Sequence, residues 1–175
     1  MKMIRTLTTQ LHISGSDELN LHNLRFIEKG HGFFTKPKYT FWTSTYRKGK
    51  NSKYMSDWHR FLSSEAPELM TGRTPYYYLI DVKEKIRILT VDGYYDTVEF
   101  TEKYTNLKPE ESLSMEVYRR LISMKTNWDL VAESYDAVHY SGRGGQRQIG
   151  GVFHGWDVES TVWFRNKFIR IRSIK

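Results

Sequence analysis

Two acidic residues stand close together near the end of the chain, in the stretch GWDVESTVWF. If this stretch is a strand, Asp157 and Glu159 share one face of it, because successive side chains alternate between the two faces. A carboxylate buried beside Trp156 and Trp163 is costly unless it is paired or hydrogen-bonded. An acidic pair at this place therefore indicates a functional site, although the same alternation equally allows both acids to face solvent.

Two earlier stretches carry polar side chains that could complete such a site. In LHIS, His12 lies between apolar neighbours on a predicted strand, and a packed or hydrogen-bonded histidine is the simpler interpretation of it. In KPKYTFWTSTY, a cluster of hydroxyl groups is flanked by two aromatic residues: Trp42, Thr43, Ser44, Thr45 and Tyr46. Aromatic and β-branched residues favour a strand here, and alternation then places Trp42, Ser44 and Tyr46 on one face.

A glycine-rich stretch, SGRGGQRQIGG, leads towards the acidic pair. One interpretation is a flexible hairpin connection. The other is a loop beside the site, in which Arg143 and Arg147 bind a substrate. The sequence supports both equally.

Composition excludes several kinds of chemistry. The chain has no cysteine, which rules out disulfides, thiolate metal sites and cysteine nucleophiles. The six histidines form no HExxH motif, and no GxSxG, GxGxxG or GxxxxGK[ST] motif occurs, so neither a metal site nor a common phosphate loop is expected. No apolar run approaches the length of a membrane span or a signal-peptide core, which predicts a cytoplasmic protein.

The charge balance points towards an anionic partner. The formal net charge is +7, and a positive field of this size favours nucleic acid or phosphate-bearing ligands. Twelve tyrosines and five tryptophans could stack on nucleotides beside the basic residues. Each observation also has a plainer interpretation, since basic residues make a surface soluble and aromatic residues pack well in sheets.

Strand patterns outnumber helix patterns. We predict helices in SDELNLHNLRFI, SDWHRFLSSE, PEESLSMEVYRRLISM and NWDLVAESY. We predict strands in TQLHIS, YTFWTSTY, PYYYLIDV, KIRILTV, YDAVHYS, DVESTVWF and FIRIRSI. Runs of strands separated from runs of helices favour one α+β domain over residues 1–175, with a mostly antiparallel sheet.

Taken in order, four stretches resemble segments of a group of small bacterial and phage-associated proteins: LHIS, KPKYTFWTSTY followed by SDWHRF, NWDLVAESYDAVHYSG, and GWDVESTVWF. Those proteins share a KPxGLW-[ST]-S-like segment, a W..VA..YDG-like segment and a final WD-x-x-S-x-x-W segment. The group is similar in turn to the ADP-ribosyltransferase fold, and the resemblance covers most of the chain through short motifs. It implies a split, mostly antiparallel sheet with flanking helices around a cleft for nicotinamide adenine dinucleotide (NAD).

The resemblance also implies roles for individual residues. His12 takes the family's first-strand position and donates to a ribose hydroxyl or a phosphate, while Thr43–Thr45 takes the second position, with Ser44 bonded to the catalytic carboxylate or the ribose. Glu159 takes the catalytic position, and Asp157 contacts or activates the acceptor. The arginine-targeting members have Glu-x-Glu or Gln-x-Glu where this chain has Asp-Val-Glu, and similar proteins can lack the second acid, so which acid is essential stays open. Trp42 or Tyr46 would form a wall of the nicotinamide site.

The function implied is a mono-ADP-ribosyltransferase that cleaves NAD without a metal and acts as a toxin or a host–phage conflict effector. Basic charge, aromatic residues and the arginines Arg143 and Arg147 favour a nucleic-acid acceptor over a protein side chain. An antitoxin or another inhibitory partner could cover the cleft. The alternatives are a non-catalytic nucleic-acid-binding module and an NAD glycohydrolase.

Overall fold

The computed structural model describes residues 1–19, 21, 24, 37, 40–47, 53–105, 126–142, 152–153, 156 and 158–174. The described strands are β1 (Lys2–Ile4), β2 (Gln10–Ser14), β3 (Phe41–Thr45), β4 (Tyr76–Val82), β5 (Ile88–Val91), β6 (Ala137–Tyr140), β7 (Ser160–Trp163) and β8 (Phe168–Ile174). The described helices are α1 (Asp57–Ser64), α2 (Tyr94–Tyr104) and α3 (Trp128–Ser134), together with a 3₁₀ helix at Pro67–Met70.

The eight strands form one mixed sheet in the order β1-β5-β6-β7-β3-β2-β4-β8. Every neighbouring pair in this sheet is antiparallel except β5 and β6, which are parallel. A parallel pair needs a crossover connection, and the chain between β5 and β6 contains α2 and α3. The predicted α+β class is confirmed.

Strand β3 is the place where the two halves of the sheet meet. Its first three residues, 41–43, pair with β7, whereas only Ser44 and Thr45 pair with β2. One half of the sheet is therefore joined to the start of β3 and the other half to its end. Polar groups of the backbone near this junction need partners other than a regular ladder.

Side-chain alternation along the strands separates two apolar clusters. One face contributes Leu89, Val138, Tyr140 and Val162 to a cluster that also contains Phe100 of α2 and Trp128 of α3. The opposite face contributes Phe41, Ile80, Ile88, Ala137 and Trp163 to the second cluster. Alternate residues of each strand thus enter different clusters, as a sheet buried on both faces requires.

Two of the predicted helices are confirmed, and each begins after a residue whose side chain caps it. Helix α1 begins after Ser56, whose hydroxyl accepts from the amide of His59 at 3.0 Å. Helix α3 begins after Asn127, whose side-chain oxygen accepts from the amide of Leu130 at 3.2 Å. Each cap satisfies an amide that has no partner within the first turn of the helix.

The helix predicted over 16–27 is wrong for its first residues, since 16–18 form bends and residue 19 belongs to no regular element. There the hydroxyl of Ser14 accepts from the amide of Ser16, and the hydroxyl of Ser16 accepts from the amide of Glu18. Such local bonds compete with helical ones. Most of the rest of that stretch, and the whole of the helix predicted over 109–124, lie outside the described residues.

The sequence prediction missed α2 and β1, and it began the acidic strand too early. Helix α2 is rich in tyrosine and threonine, which favour strands. It is stabilised by burial of Phe100 and Tyr104 against the sheet. Strand β7 begins at Ser160, so Glu159 directly precedes the strand instead of lying within it.

Candidate functional site

Glu159 is placed where the ladder between β3 and β7 ends. Thr43 pairs with Thr161, so Thr45 would oppose Glu159 if the ladder continued for two more residues. The amide of Thr45 instead donates to the side chain of Glu159, at 2.9 Å from Oε2 and 3.2 Å from Oε1. The carboxylate therefore takes the place of a backbone partner and is 6% exposed.

Two hydroxyl groups complete the surroundings of this carboxylate. Ser44 donates to Glu159 Oε2 at 2.7 Å, and the Thr45 hydroxyl donates to Oε1 at 3.1 Å. The Ser44 oxygen also lies 3.5 Å from the amide of Trp58, at the start of α1. Donors on both oxygens compensate for the loss of hydration and fix the orientation of the carboxylate.

A chain of buried polar side chains links the site to the second apolar cluster. The indole of Trp163 donates to the Thr43 hydroxyl at 2.9 Å, and this hydroxyl donates to Gln10 Oε1 at 2.9 Å. The side-chain nitrogen of Gln10, Nε2, donates to the carbonyl of Thr8 at 3.1 Å and lies 3.4 Å from the hydroxyl of Thr45. Gln10 lies two residues before His12 on the same predicted strand, so the two side chains share a face. This shared face could have identified Gln10 from the sequence.

His12 lies where β2 and β3 separate. Its Nδ1 is 2.7 Å from the carbonyl oxygen of Trp42, and its ring packs on Phe41 with a centroid distance of 4.4 Å. Because a carbonyl only accepts, Nδ1 carries the hydrogen. Burial lowers the pKa of His12 below its ordinary value, and the bond to Trp42 partly opposes this shift. The neutral ring then presents a lone pair at Nε2, which accepts a hydrogen bond in this tautomer, and the contact of His12 with a ligand stays a prediction.

His139 of β6 is a member of the site that the sequence did not single out. Its Nδ1 lies 2.9 Å from the hydroxyl of Thr161 and 3.4 Å from Glu159 Oε1. Burial is the main cause that lowers the pKa of His139, while the charges of Glu159 and Asp92 act in the opposite direction. Its position beside Glu159 depends on the pairing of β6 with β7, which no local pattern reveals.

Trp42 and Tyr46, the aromatic residues that the sequence suggested, make different contacts from the hydroxyl residues that bond to Glu159. Trp42 packs against Trp156 at a centroid distance of 4.5 Å, beside the first apolar cluster, and is partly exposed. Tyr46 is also partly exposed, and its amide donates to the carbonyl of Thr9 at 2.9 Å. Their contact with a nicotinamide ring stays a prediction. Asp157, Arg143 and Arg147 lie outside the described residues.

Gly142 brings the chain that follows β6 against the backbone of Glu159. Its φ is +77°, and a Cβ at this position would lie 2.9 Å from the amide nitrogen of Glu159. Gly142→Ala is expected to destabilise the fold by about 2–5 kcal/mol, the sum of a left-handed conformation and an overlap with backbone. Urea unfolding measures this loss.

Gly72 provides the matched control for this substitution. Its φ is +73°, but a Cβ there meets no described atom within 4 Å. Gly72→Ala should therefore cost only about 1–2 kcal/mol, from the backbone conformation alone. Equal losses for the two variants would show that the contact with Glu159 adds nothing.

A metal centre and a membrane-spanning helix are both absent from the described residues. In the described part of the chain, no group of three or more histidine, aspartate and glutamate side chains is arranged to hold a metal ion. The described helices are too short or too polar for any of them to cross a membrane.

Comparison with known proteins adds no relative. No protein-family model, no curated protein and no solved structure matches this chain. The arrangement of Glu159, Ser44, Thr45 and the two histidines is therefore the basis for any functional conclusion.

Proposed function

We propose that this protein is a mono-ADP-ribosyltransferase, which cleaves NAD and transfers ADP-ribose to a macromolecule. The observation that carries the proposal is the carboxylate of Glu159, which is held by Ser44 and Thr45 at the junction of the sheet. These are the residues to which the sequence resemblance assigns the catalytic position and the second position of the family. They are separated by more than 110 residues in sequence.

The order of the strands brings three of the resembling segments next to one another. The three segments to which the resemblance assigns site residues belong to β2, to β3 and to the start of β7, and the sheet order places β3 between the other two. His12 and Glu159 therefore lie on either side of the strand that carries Ser44 and Thr45. A cofactor bound across β3 could contact all three segments.

A carboxylate in this position suits the chemistry of NAD cleavage. Breaking the bond between ribose and nicotinamide develops positive charge on the ribose ring, as glycoside cleavage does. A fixed carboxylate stabilises that charge, and it can also accept a hydrogen bond from a ribose hydroxyl. Two carboxylate oxygens offer about four acceptor positions, and the Ser44 hydroxyl, the Thr45 amide and the Thr45 hydroxyl occupy three of them, so about one position remains for a ribose hydroxyl.

His12 would bind the cofactor through its free nitrogen. With Nδ1 donating to Trp42, Nε2 can accept a hydrogen bond from a ribose hydroxyl. No described residue bonds to this nitrogen. A neutral imidazole of this kind fixes the ribose without repelling the developing positive charge.

The acceptor is proposed to be a nucleic acid. The formal charge of +7 attracts polyanions, and partly exposed aromatic side chains such as Trp58 and Phe61, which stack at 5.2 Å, can hold unpaired bases. Arg143 and Arg147 are retained as acceptor-binding candidates from the sequence. A cytoplasmic toxin or phage-conflict effector, controlled by an inhibitory partner, is the context that we propose.

One experiment distinguishes this proposal from its alternatives. The protein is incubated with NAD labelled in its adenosine moiety and total bacterial extract, and the products are treated with nuclease or with protease. Label that nuclease removes supports transfer to nucleic acid, and label that protease removes supports a protein acceptor. Free ADP-ribose alone indicates an NAD glycohydrolase. Intact NAD, together with salt-sensitive binding to RNA or DNA, indicates a binding module and overturns the proposal.

A further inference from the structure

We infer that His139 is a second reactive group of this site, and that its Nε2 takes the proton from the acceptor while Thr161 and Glu159 hold its Nδ1. The inference rests on the proposed function. It adds a residue that neither the sequence motifs nor the resemblance assigns, and it restricts the class of the acceptor group.

The neighbours of Nδ1 determine which nitrogen of His139 is free. Nδ1 lies 2.9 Å from the Thr161 hydroxyl and 3.4 Å from Glu159 Oε1. The Thr161 hydroxyl can donate or accept, so the negative charge of Glu159 is what favours the tautomer with hydrogen on Nδ1 and the lone pair on Nε2. Nε2 makes no hydrogen bond to a described residue, and the side chain is 15% exposed. The basic nitrogen is therefore the one available to a substrate.

The charge state of His139 suits a base at neutral pH. Burial is the main cause that lowers its pKa below the ordinary value of 6.5, so the ring is neutral at pH 7. Glu159 and Asp92 are the described charged groups whose fields act on it, and both favour the protonated ring. They would stabilise the imidazolium that forms when the proton is taken, as a carboxylate does in other carboxylate–histidine pairs.

His139 and Glu159 would act on different parts of one reaction. The bond between ribose C1′ and the nicotinamide nitrogen breaks, and its electron pair leaves with nicotinamide. An oxygen or nitrogen of the acceptor forms a bond to C1′, and its proton moves to His139 Nε2 and then to solvent. Glu159 stabilises the positive charge on the ribose. A phosphate or a carboxylate would need no base, so the acceptor should be a hydroxyl or an N–H group.

His139→Asn tests the inference, because the Asn amide can still donate towards Thr161 and Glu159 but has no group in place of Nε2. Wild type and variant are incubated with labelled NAD and total bacterial RNA, and both nicotinamide release and label on RNA are measured. We expect transfer to fall about 100-fold or more at pH 7, while nicotinamide release falls less than about threefold because water captures the ribose cation. Added imidazole should restore part of the transfer.

The pH profile supplies a second readout. Burial lowers the pKa of His139 below its ordinary value of 6.5, so wild-type transfer should decrease only as the pH falls through that lowered pKa, since a protonated ring cannot accept the proton. This decrease should be absent from His139→Asn. The control is His59→Asn, because His59 lies in α1 and its Nδ1 accepts from the amide of Met55. The control variant should keep the wild-type ratio of transfer to nicotinamide release.

Two results would overturn the inference alone. Transfer and nicotinamide release that fall together, without recovery in imidazole, would mean that His139 only supports Glu159. Undiminished transfer by His139→Asn would mean that another group takes the proton. A wild-type protein that releases no nicotinamide would instead overturn the proposed function, and the role of His139 would fall with it.

Discussion

Glu159→Gln is expected to lower the rate of NAD cleavage about 100- to 1000-fold while the protein stays folded. The substitution removes the negative charge that would stabilise the ribose cation and keeps the size of the side chain. The Ser44 and Thr45 hydroxyls can each accept as well as donate, so they can bond to a neutral amide. The amide of Thr45 can still donate to the Gln oxygen in the place of Oε2, where the carboxylate now accepts at 2.9 Å.

The measurement is nicotinamide release at saturating NAD, with unfolding in urea as the test of the fold. Glu68→Gln is the matched control, because Glu68 is an exposed acid in the 3₁₀ helix and makes the same change of charge. It should leave the rate within about twofold of wild type. A loss of both stability and activity in Glu159→Gln would indicate that the carboxylate mainly supports the junction of the sheet.

A comparison of variants at Asp157 and Glu159 decides which of the two acids is essential. The sequence leaves open whether Asp157 or Glu159 is essential, and Asp157 lies outside the described residues. The contacts of Glu159 with Ser44 and Thr45 favour Glu159. Full turnover by Glu159→Gln, together with an inactive Asp157→Asn variant, would transfer the role to Asp157.

Local patterns predicted the parts of this fold that depend on local physics. Helices α1 and α3 were predicted from such patterns, and in the structure the side chains of Ser56 and Asn127 cap them, each bonding an amide three residues later. Most strands follow from β-branched and aromatic runs. Helix α2 could not be predicted in this way, since its tyrosines and threonines favour strands and burial of Phe100 stabilises it.

The site was predictable only in part, because the sheet order is a tertiary property. Side-chain alternation alone would place only one of Ser44 and Thr45 on the same face as Glu159. In the structure both reach Glu159, since Glu159 precedes β7 and its side chain enters the end of the ladder. His139 joins the site only because β6 pairs with β7. No spacing in the sequence specifies that pairing.

The second large effect concerns stability and the polar chain beneath the site. Thr43→Val keeps the shape of the side chain but removes a hydroxyl that accepts from Trp163 and donates to Gln10, both at 2.9 Å. Trp163 and Gln10 are 0% exposed, so water cannot replace the lost partner. Two buried polar groups without partners are expected to destabilise the fold by about 2–5 kcal/mol. Urea unfolding followed by far-UV circular dichroism measures the loss.

Thr97→Val is the control with the same chemical change and similar burial. Thr97 is 3% exposed, and its hydroxyl donates to the carbonyl of Gly93, which also accepts from the amide of Thr97. That carbonyl keeps a partner after the substitution, so the loss should be below about 1 kcal/mol. Equal losses at the two positions would contradict the argument from unpaired groups.

A double-mutant cycle separates the two partners of Thr43. In Trp163→Phe the indole N–H is absent, so a further Thr43→Val change leaves only Gln10 without its partner. The combined loss should therefore be smaller than the sum of the single losses, by about 1–2 kcal/mol. Additive losses would mean that Trp163 and Thr43 contribute independently. The bond between them would then not support the strand that carries Ser44 and Thr45.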